Sequence, residues 1–297
     1  MERWYGLTTA LGRVALRGLD VTTRWRGEHH LPVSGPALLA SVHVSYPDFL
    51  FIGKAGLHRG RHLRFLCRHD IWNVPLVRRG MDSMRHVPVD RQAPAGAYLR
   101  VRSLLEDGQA VCAFPEAGIS YSYTVRSLMP GVAALSRETG VPIVPVVVWG
   151  GQRIASVGRP VDGREPGPDF TRGRTVDVRF GPPMPVAADD DLVDATRRLG
   201  ARLTAMLEDV QRLPVHRPQT GEHAAWYPAH LGGHAPDRRE ALQYDLVPRA
   251  AVPPTWGPPL DLSFVDASHG RPVVCSRVRG SRCVPGAPGH RHAWVRC

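Results

Sequence analysis

A histidine followed five residues later by an aspartate, His43 and Asp48 in Ser41-Val42-His43-Val44-Ser45-Tyr46-Pro47-Asp48, supplies the two groups that activate a hydroxyl. The imidazole takes the proton of the attacking oxygen, and the carboxylate fixes the tautomer and orientation of the imidazole. The same spacing also fits a loop histidine beside a helix-capping aspartate. The surroundings favour a site. Ala37-Leu38-Leu39-Ala40-Ser41-Val42 is an apolar run after Gly35-Pro36 and reads as a buried strand, whereas Ser45 and Pro47 suit the start of a helix. His43 is therefore expected at the carboxyl end of a strand, the edge at which open α/β sheets bind ligands.

Three further segments follow in order. In His86-Val87-Pro88-Val89-Asp90-Arg91, the arginine is either half of a surface Asp-Arg pair or a planar guanidinium offered to a phosphate. Val111-Cys112-Ala113-Phe114-Pro115-Glu116-Ala117-Gly118-Ile119-Ser120 runs from an apolar strand into a turn, where Glu116 is either solvated or part of a site. Val141-Pro142-Ile143-Val144-Pro145-Val146-Val147-Val148-Trp149-Gly150-Gly151 reads as a buried strand of the core.

Together, His43-x4-Asp48, Val87-Pro88-Val89-Asp90-Arg91, Phe114-Pro115-Glu116 and Val141-Pro142-Ile143-Val144-Pro145 resemble the four blocks of the phospholipid/glycerol acyltransferases, the 1-acyl-glycerol-3-phosphate acyltransferase group. The resemblance covers residues 30–213, and Ser45-Tyr46, Phe114-Pro115-Glu116-Ala117 and Val146-Val147-Val148-Trp149-Gly150-Gly151-Gln152-Arg153 are similar to its actinobacterial branch. It implies a glycerol-3-phosphate acyltransferase-like fold. It also implies transfer of a fatty acyl group from acyl-CoA or acyl-carrier protein to the sn-2 hydroxyl of 1-acyl-glycerol-3-phosphate, forming phosphatidic acid in phospholipid biosynthesis. His43 would be the general base and Asp48 its orienting partner, Arg91 would bind the acceptor phosphate, and Glu116 with neighbours such as Gly118 would position the acceptor. No cofactor beyond the acyl donor and no metal is implied, because a well-placed base and acceptor suffice for alcoholysis of a thioester. Another lysolipid or glycolipid hydroxyl as acceptor, and a homologue that binds lipid without turnover, remain as alternatives.

The chain departs from the family pattern in three places. After Phe-Pro-Glu the family usually continues Gly-Thr-Arg-Ser, but here Ala117-Gly118-Ile119-Ser120 follows, so Ile119 replaces an arginine often assigned to phosphate. Arg126, a few residues on, is the candidate to substitute for it. Leu128-Met129-Pro130-Gly131 stands where the branch commonly has Phe-Lys-x-Gly, and Val42 stands where a polar residue usually precedes the histidine.

With 297 residues and 43% hydrophobic content, the chain is long enough for a full core. Its net charge is +11, yet Lys54 is the only lysine, so the arginine excess reads as compositional bias rather than a nucleic-acid footprint. No aromatic-basic RNA signature, helix-turn-helix pattern or zinc spacing supports nucleic acid. The positive balance suits an anionic membrane surface, the phosphates of CoA or an acidic carrier protein. Cys67, Cys112, Cys275, Cys283 and Cys297 are odd in number and scattered, which gives neither a disulfide framework nor a metal site and fits a reducing cytosol. His58 and His62 flank Gly60 and read as a solvated turn, not as metal ligands.

The sequence has no apolar run of about 18 residues and no signal-peptide core. Trp4, Leu7, Leu11, Val14, Ala15 and Leu19 recur at helical spacing among Arg3, Arg13 and Arg17. This is either an interfacial amphipathic helix whose arginines meet lipid phosphates, or a helix packed on its own domain. A bilayer-resident lipid acceptor would put the protein at the cytoplasmic face of the cell membrane, peripherally or monotopically.

Helical patterns over 95–107, closing at Gly108, over 131–139, closing at Gly140, and over 189–213 alternate with strands near 63–67, 109–114, 141–149 and 175–180. The expected class is α/β, a largely parallel or mixed sheet flanked by helices. The organisation reads as a membrane-association segment at 1–29, an acyltransferase domain at 30–213, and a Pro/Gly/Arg-rich extension at 214–297. Little in 249–297 could bury a core, so the extension is expected to be mostly disordered. Trp226-Tyr227-Pro228-Ala229-His230-Leu231-Gly232-Gly233, which resembles a tail segment of the branch, could dock on the domain.

Overall fold

All five residues of Ala37–Ser41 are buried, as befits a strand with parallel neighbours and both faces covered. It is the second of seven strands among the described residues: β1 (Thr22–Arg26), β2 (Ala37–Ser41), β3 (Leu63–Arg68), β4 (Val87–Val89), β5 (Ala110–Ala113), β6 (Ile143–Trp149) and β7 (Thr175–Phe180). They form one sheet in the order β1-β7-β6-β2-β5-β3-β4. Every neighbouring pair is parallel except β6 with β7. The computed structural model describes residues 2–245 and 253–258. The chain divides into two units, 1–261 and 262–297, of which the second lies outside the described residues.

Helices α1 (Glu2–Gly18), α2 (Asp48–His58), α3 (Pro75–Ser83), α4 (Ala95–Glu106), α5 (Gly131–Thr139), α6 (Leu192–Gln211) and α7 (Arg238–Ala241) accompany the sheet. Their ends follow local chemistry. Asp191 caps α6 by accepting the Asp194 N–H at 3.0 Å, and α5 stops where Gly140 turns to φ 70°. Helix α6 buries Leu199, Leu203, Leu207 and Val210, each contributing roughly 1.5–3 kcal/mol of hydrophobic stabilisation. Because β2, β3, β4 and β5 run in one direction, their carboxyl ends share one edge. The residues just beyond them meet there whatever their separation in sequence.

Helix α1 docks through Tyr5, which the spacing did not single out, and through Trp4, which it did. The Tyr5 hydroxyl donates to the Leu63 carbonyl at 3.0 Å and accepts the Leu63 N–H at 3.2 Å. The pairing of β4 with β3 begins only at Leu66, so a phenol supplies at Leu63 the partners that a neighbouring strand supplies further on. Trp4 packs against Gly80 of α3. Leu7, Leu11 and Val14 remain 51%, 62% and 67% exposed. The apolar face expected from Trp4 to Leu19 is thus split into a docked side and an exposed edge.

Residues 214–245 pack against the same body. His216 is buried with Nε2 2.7 Å from Asp177 Oδ2, and Arg24 holds the same carboxylate from β1 at 2.5 Å. The Tyr227 hydroxyl donates to the Gln211 carbonyl at 2.8 Å, and its ring meets buried Trp149 edge-on. The rest of the extension expected to be disordered, apart from 253–258, lies outside the described residues.

Candidate active site

Beyond β2 the chain turns into α2, and the turn is built around one buried carboxylate. Asp48 Oδ2 accepts the N–H groups of Val44 at 2.8 Å and Ser45 at 2.9 Å and lies 3.0 Å from His43 Nδ1, while Oδ1 accepts the Ser45 hydroxyl. With Oδ2 fixed by two backbone donors, Nδ1 is the protonated nitrogen and Nε2 is the lone-pair nitrogen. The imidazole stacks on Phe114, with centroids 4.2 Å apart and planes at 25°, and Nε2 has no hydrogen-bond partner among the described residues. Asp48 is thus both the organiser of a helix start and the orienter of the imidazole.

The turn after β5 is tied to the turn after β2. Glu116, 2% exposed, accepts the backbone N–H of His43 on Oε1 and that of Arg126 on Oε2, each at 2.7 Å. Burial pushes its carboxyl up to about 8, opposed by those two N–H donors and by the Arg126 charge. The His43 carbonyl in turn accepts the Ser120 N–H at 2.9 Å. Glu116 is therefore a buried staple and not a solvated turn residue.

A cavity of about 980 Å³ opens at this edge. His43, Arg68, Arg91, Gly118 and Arg126 line its polar end, while Leu11 of α1, Leu50 of α2, Phe65, Ile71 and Met81 are among its apolar walls. Burial and the nearby Arg68 and Arg126 guanidiniums lower the Arg91 pKa, and Arg91 has no hydrogen-bonding partner among the described residues. Asp90 instead accepts the Gln92 N–H at 2.8 Å. Among the described residues, no group of three or more His, Cys, Asp or Glu side chains is arranged to hold a metal ion.

A base, an orienting carboxylate and clustered arginines on four parallel strand ends agree with the sequence comparisons, in which residues 22–149 match the family profile described as Acyltransferase. Residues 22–149 thus carry an acyltransferase domain. It is similar to the 1-acyl-sn-glycerol-3-phosphate acyltransferase LPAT1, chloroplastic, of Arabidopsis thaliana, with 29% identity over 136 residues, 44% of this chain and 37% of that protein. It is also similar to the 1-acyl-sn-glycerol-3-phosphate acyltransferase BAT2, chloroplastic, of Brassica napus, with 28% identity over 137 residues, 45% of this chain and 39% of that protein. The matches thus span less than half the length of these curated relatives. The fold is shared with the crystal structure of the 1-acyl-sn-glycerophosphate (LPA) acyltransferase PlsC from Thermotoga maritima, at a TM-score of 0.57 and 18% identity over 69% of this chain and 78% of that one.

The residues singled out from sequence, His43, Asp48, Arg91, Glu116, Gly118 and Arg126, all meet at one edge. Arg126 reaches the cavity by lying across Gly118, where a side chain would collide with its Nη1. It donates to the carbonyl of Ile119 at 3.3 Å and pairs with Asp245 at 3.3 Å. Two members of this cluster escaped the sequence reading. Arg68 is the last residue of β3 and pairs with Asp70 at 2.5 Å. Only the parallel pairing of β3 with β4 and β5 brings it beside Arg91, although its place at the end of a predicted strand was a usable signal. Asp245 arrives from a segment with no recognisable spacing to the others.

Proposed function

We propose that this acyltransferase moves a fatty acyl group from acyl-CoA or acyl-carrier protein to the sn-2 hydroxyl of 1-acyl-glycerol-3-phosphate, giving phosphatidic acid. One observation carries the reading. The oriented imidazole of His43 lines a cavity whose polar end holds Arg68, Arg91 and Arg126 and whose other walls are largely apolar, with Leu11, Leu50, Phe65, Ile71 and Met81 among them. Such a cavity suits an acceptor with an anionic head and a hydrocarbon tail. The similarity to two proteins named 1-acyl-sn-glycerol-3-phosphate acyltransferases supports the same acceptor.

In the proposed reaction, His43 Nε2 takes the proton of the acceptor hydroxyl as its oxygen attacks the thioester carbonyl carbon. The tetrahedral intermediate collapses with cleavage of the carbon–sulfur bond, and His43 returns the proton to the departing thiol. Arg91, with Arg126, holds the acceptor phosphate; Asp48 keeps Nδ1 protonated and the ring in place; Glu116 and Gly118 set the distance between base and anion site. The acyl donor is the only co-substrate.

We assign the protein to the cytoplasmic face of the membrane, peripherally or monotopically bound. Exposed Leu7, Leu11 and Val14 of α1 and Phe49 and Leu50 of α2, near the apolar walls of the cavity, support contact with lipid. No helix among the described residues is long and apolar enough to cross a membrane.

The deciding experiment measures thiol release from acyl-CoA and from acyl-carrier protein with lysophosphatidic acid as acceptor, with mass spectrometry of the lipid product. Phosphatidic acid from the wild type and not from His43→Ala supports the assignment. Product only with another lysolipid would replace the acceptor, and silence with all acceptors would leave a lipid-binding homologue.

A further inference from the structure

Arg126 is bracketed by two pieces of the C-terminal extension. On one side Asp237 accepts the Glu240 N–H at 2.7 Å and starts α7. Glu240 accepts two hydrogen bonds from Arg159 at 2.6 Å each, and Arg238 Nε donates to the Thr124 hydroxyl at 2.9 Å. The chain then lays Tyr244 against Tyr121, with ring centroids 5.2 Å apart, and brings Asp245 Oδ2 to within 3.3 Å of Arg126 Nε. On the other side, the Leu128 N–H donates to the Trp256 carbonyl at 2.8 Å and the Thr255 N–H to the Leu128 carbonyl at 3.1 Å, while the Trp256 indole covers Gly200 of α6. Residues 237–245 thus deliver a carboxylate to a cavity arginine, and residues 255–256 are anchored beside the same arginine.

The charges at the polar end of the cavity do not all remain free. Arg68 is paired with Asp70 and Arg126 with Asp245, which leaves Arg91 without an ionic partner among the described residues. Glu165, held by the Tyr46 and Tyr121 hydroxyls, adds a further carboxylate to the cavity lining. Each carboxylate paired with a cavity arginine reduces the positive potential left for an acceptor phosphate, and the doubly charged phosphomonoester feels that reduction more than a singly charged diester. The Asp245 side chain is only 12% exposed and that of Arg126 only 7%, so solvent screens this pair less than a surface pair.

We infer that Asp245 is a specificity-determining residue, which by occupying Arg126 weakens the site's hold on the second charge of a phosphomonoester acceptor. The inference rests on the assignment of Arg91 and Arg126 to the acceptor's anion. A phosphomonoester has to share Arg126 with Asp245, whereas a phosphodiester is held by Arg91 without that competition. Asp245 acts through Arg126 and takes no part in the chemistry.

The test is isothermal titration calorimetry on the full chain with two soluble probes, sn-glycerol 3-phosphate and its methyl phosphodiester. Asp245→Asn should bind glycerol 3-phosphate about tenfold more tightly, the size of effect expected when one like charge leaves a partly buried site. It should bind the diester less than about threefold more tightly by the same argument. Asp245→Glu should behave as wild type, and Arg126→Gln with Asp245→Asn should lose the gain. Asp245→Ser serves as second variant if the asparagine impairs folding. Unchanged or weaker binding of glycerol 3-phosphate by the folded variants, with binding still abolished by Arg91→Ala, overturns the inference and spares the acceptor site. Binding by none of the proteins, or binding indifferent to Arg91→Ala, overturns both.

Discussion

The Arg126 guanidinium occupies the space beside Gly118 that a side chain at 118 would need. A methyl group there has to push Nη1 away from the Ile119 carbonyl, and because Arg126 is buried and paired with Asp245 the shift cannot be absorbed in solvent. Gly118→Ala is expected to raise KM for the acceptor about tenfold through a misplaced anion ligand, with kcat changing less than about threefold. Steady-state kinetics over acceptor concentration checks it, and an unchanged KM would remove Gly118 and Arg126 from acceptor binding.

Asp48→Asn tests orientation separately from the base. Asparagine keeps the size of the side chain but cannot offer two carboxylate oxygens to Val44, Ser45 and His43. We expect kcat to fall about ten-thousandfold, the size of loss seen when the orienting carboxylate of a histidine is neutralised. His43→Ala should be no better, and the double variant should lose little more than either alone. Additive losses would mean that the two side chains do not act as a unit.

Glu116 gives stability a definite pH dependence. Its carboxyl, raised from 4.5 to about 8 in the folded protein, is still protonated where the same group in the unfolded chain has ionised. The unfolded chain thus binds fewer protons in that window, and stability falls as pH rises from about 4.5 through about 8. Melting temperatures across this range should show the decline in wild type and a shallower one in Glu116→Gln. The variant should also lose about 1–3 kcal/mol at the acid end, because an amide turns a donor toward one of the two backbone N–H groups. Parallel pH profiles would show that Glu116 does not titrate in this window.

Ala117 carries strain that a neighbouring residue type would relieve. Its φ of 55° is in the left-handed region, which costs a residue with a Cβ about 1 kcal/mol relative to glycine. Ala117→Gly is expected to stabilise the protein by no more than about 0.5 kcal/mol in urea titrations, because the greater freedom of glycine in the unfolded chain offsets most of the relieved strain. Destabilisation of that size would indicate that the methyl group packs favourably enough to outweigh its backbone.

The exposed edge of α1 predicts a partition assay. In flotation with vesicles containing anionic lipid, replacing Leu7 and Leu11 together with serine should reduce the bound fraction at least about threefold, in line with the apolar area withdrawn. Replacing Tyr5, whose hydroxyl bonds Leu63, should instead lower melting temperature. Equal flotation of wild type and the double variant would count against α1 as the lipid contact.

Much of this site was legible because its residues sit just beyond strands that announce themselves. His43 follows Ala37–Ser41, Glu116 follows Ala110–Ala113, and Gly140 marks the end of α5 by the turn it alone makes easily. Arg68 was missed because its role depends on which strands are neighbours, and strand order is not encoded in any local period. Tyr5 was missed because a phenol hydroxyl that completes backbone pairing contributes nothing to an apolar stripe. Asp245 was missed because its pairing with Arg126 spans two segments whose meeting is decided by packing of the extension.

Glu116 grips its two neighbours by their peptide N–H groups and not by their side chains. The hydrogen bonds of the staple therefore require no particular side chain at 126 or 119, although the Arg126 charge does act on the Glu116 carboxyl. On the proposed assignment, the cation at the acceptor end can be exchanged while His43 stays registered on the same scaffold. Ile119 in place of the customary arginine, with a guanidinium supplied from 126, is the kind of substitution such a scaffold tolerates. The catalytic and recognition halves of the site are in this sense separately inheritable.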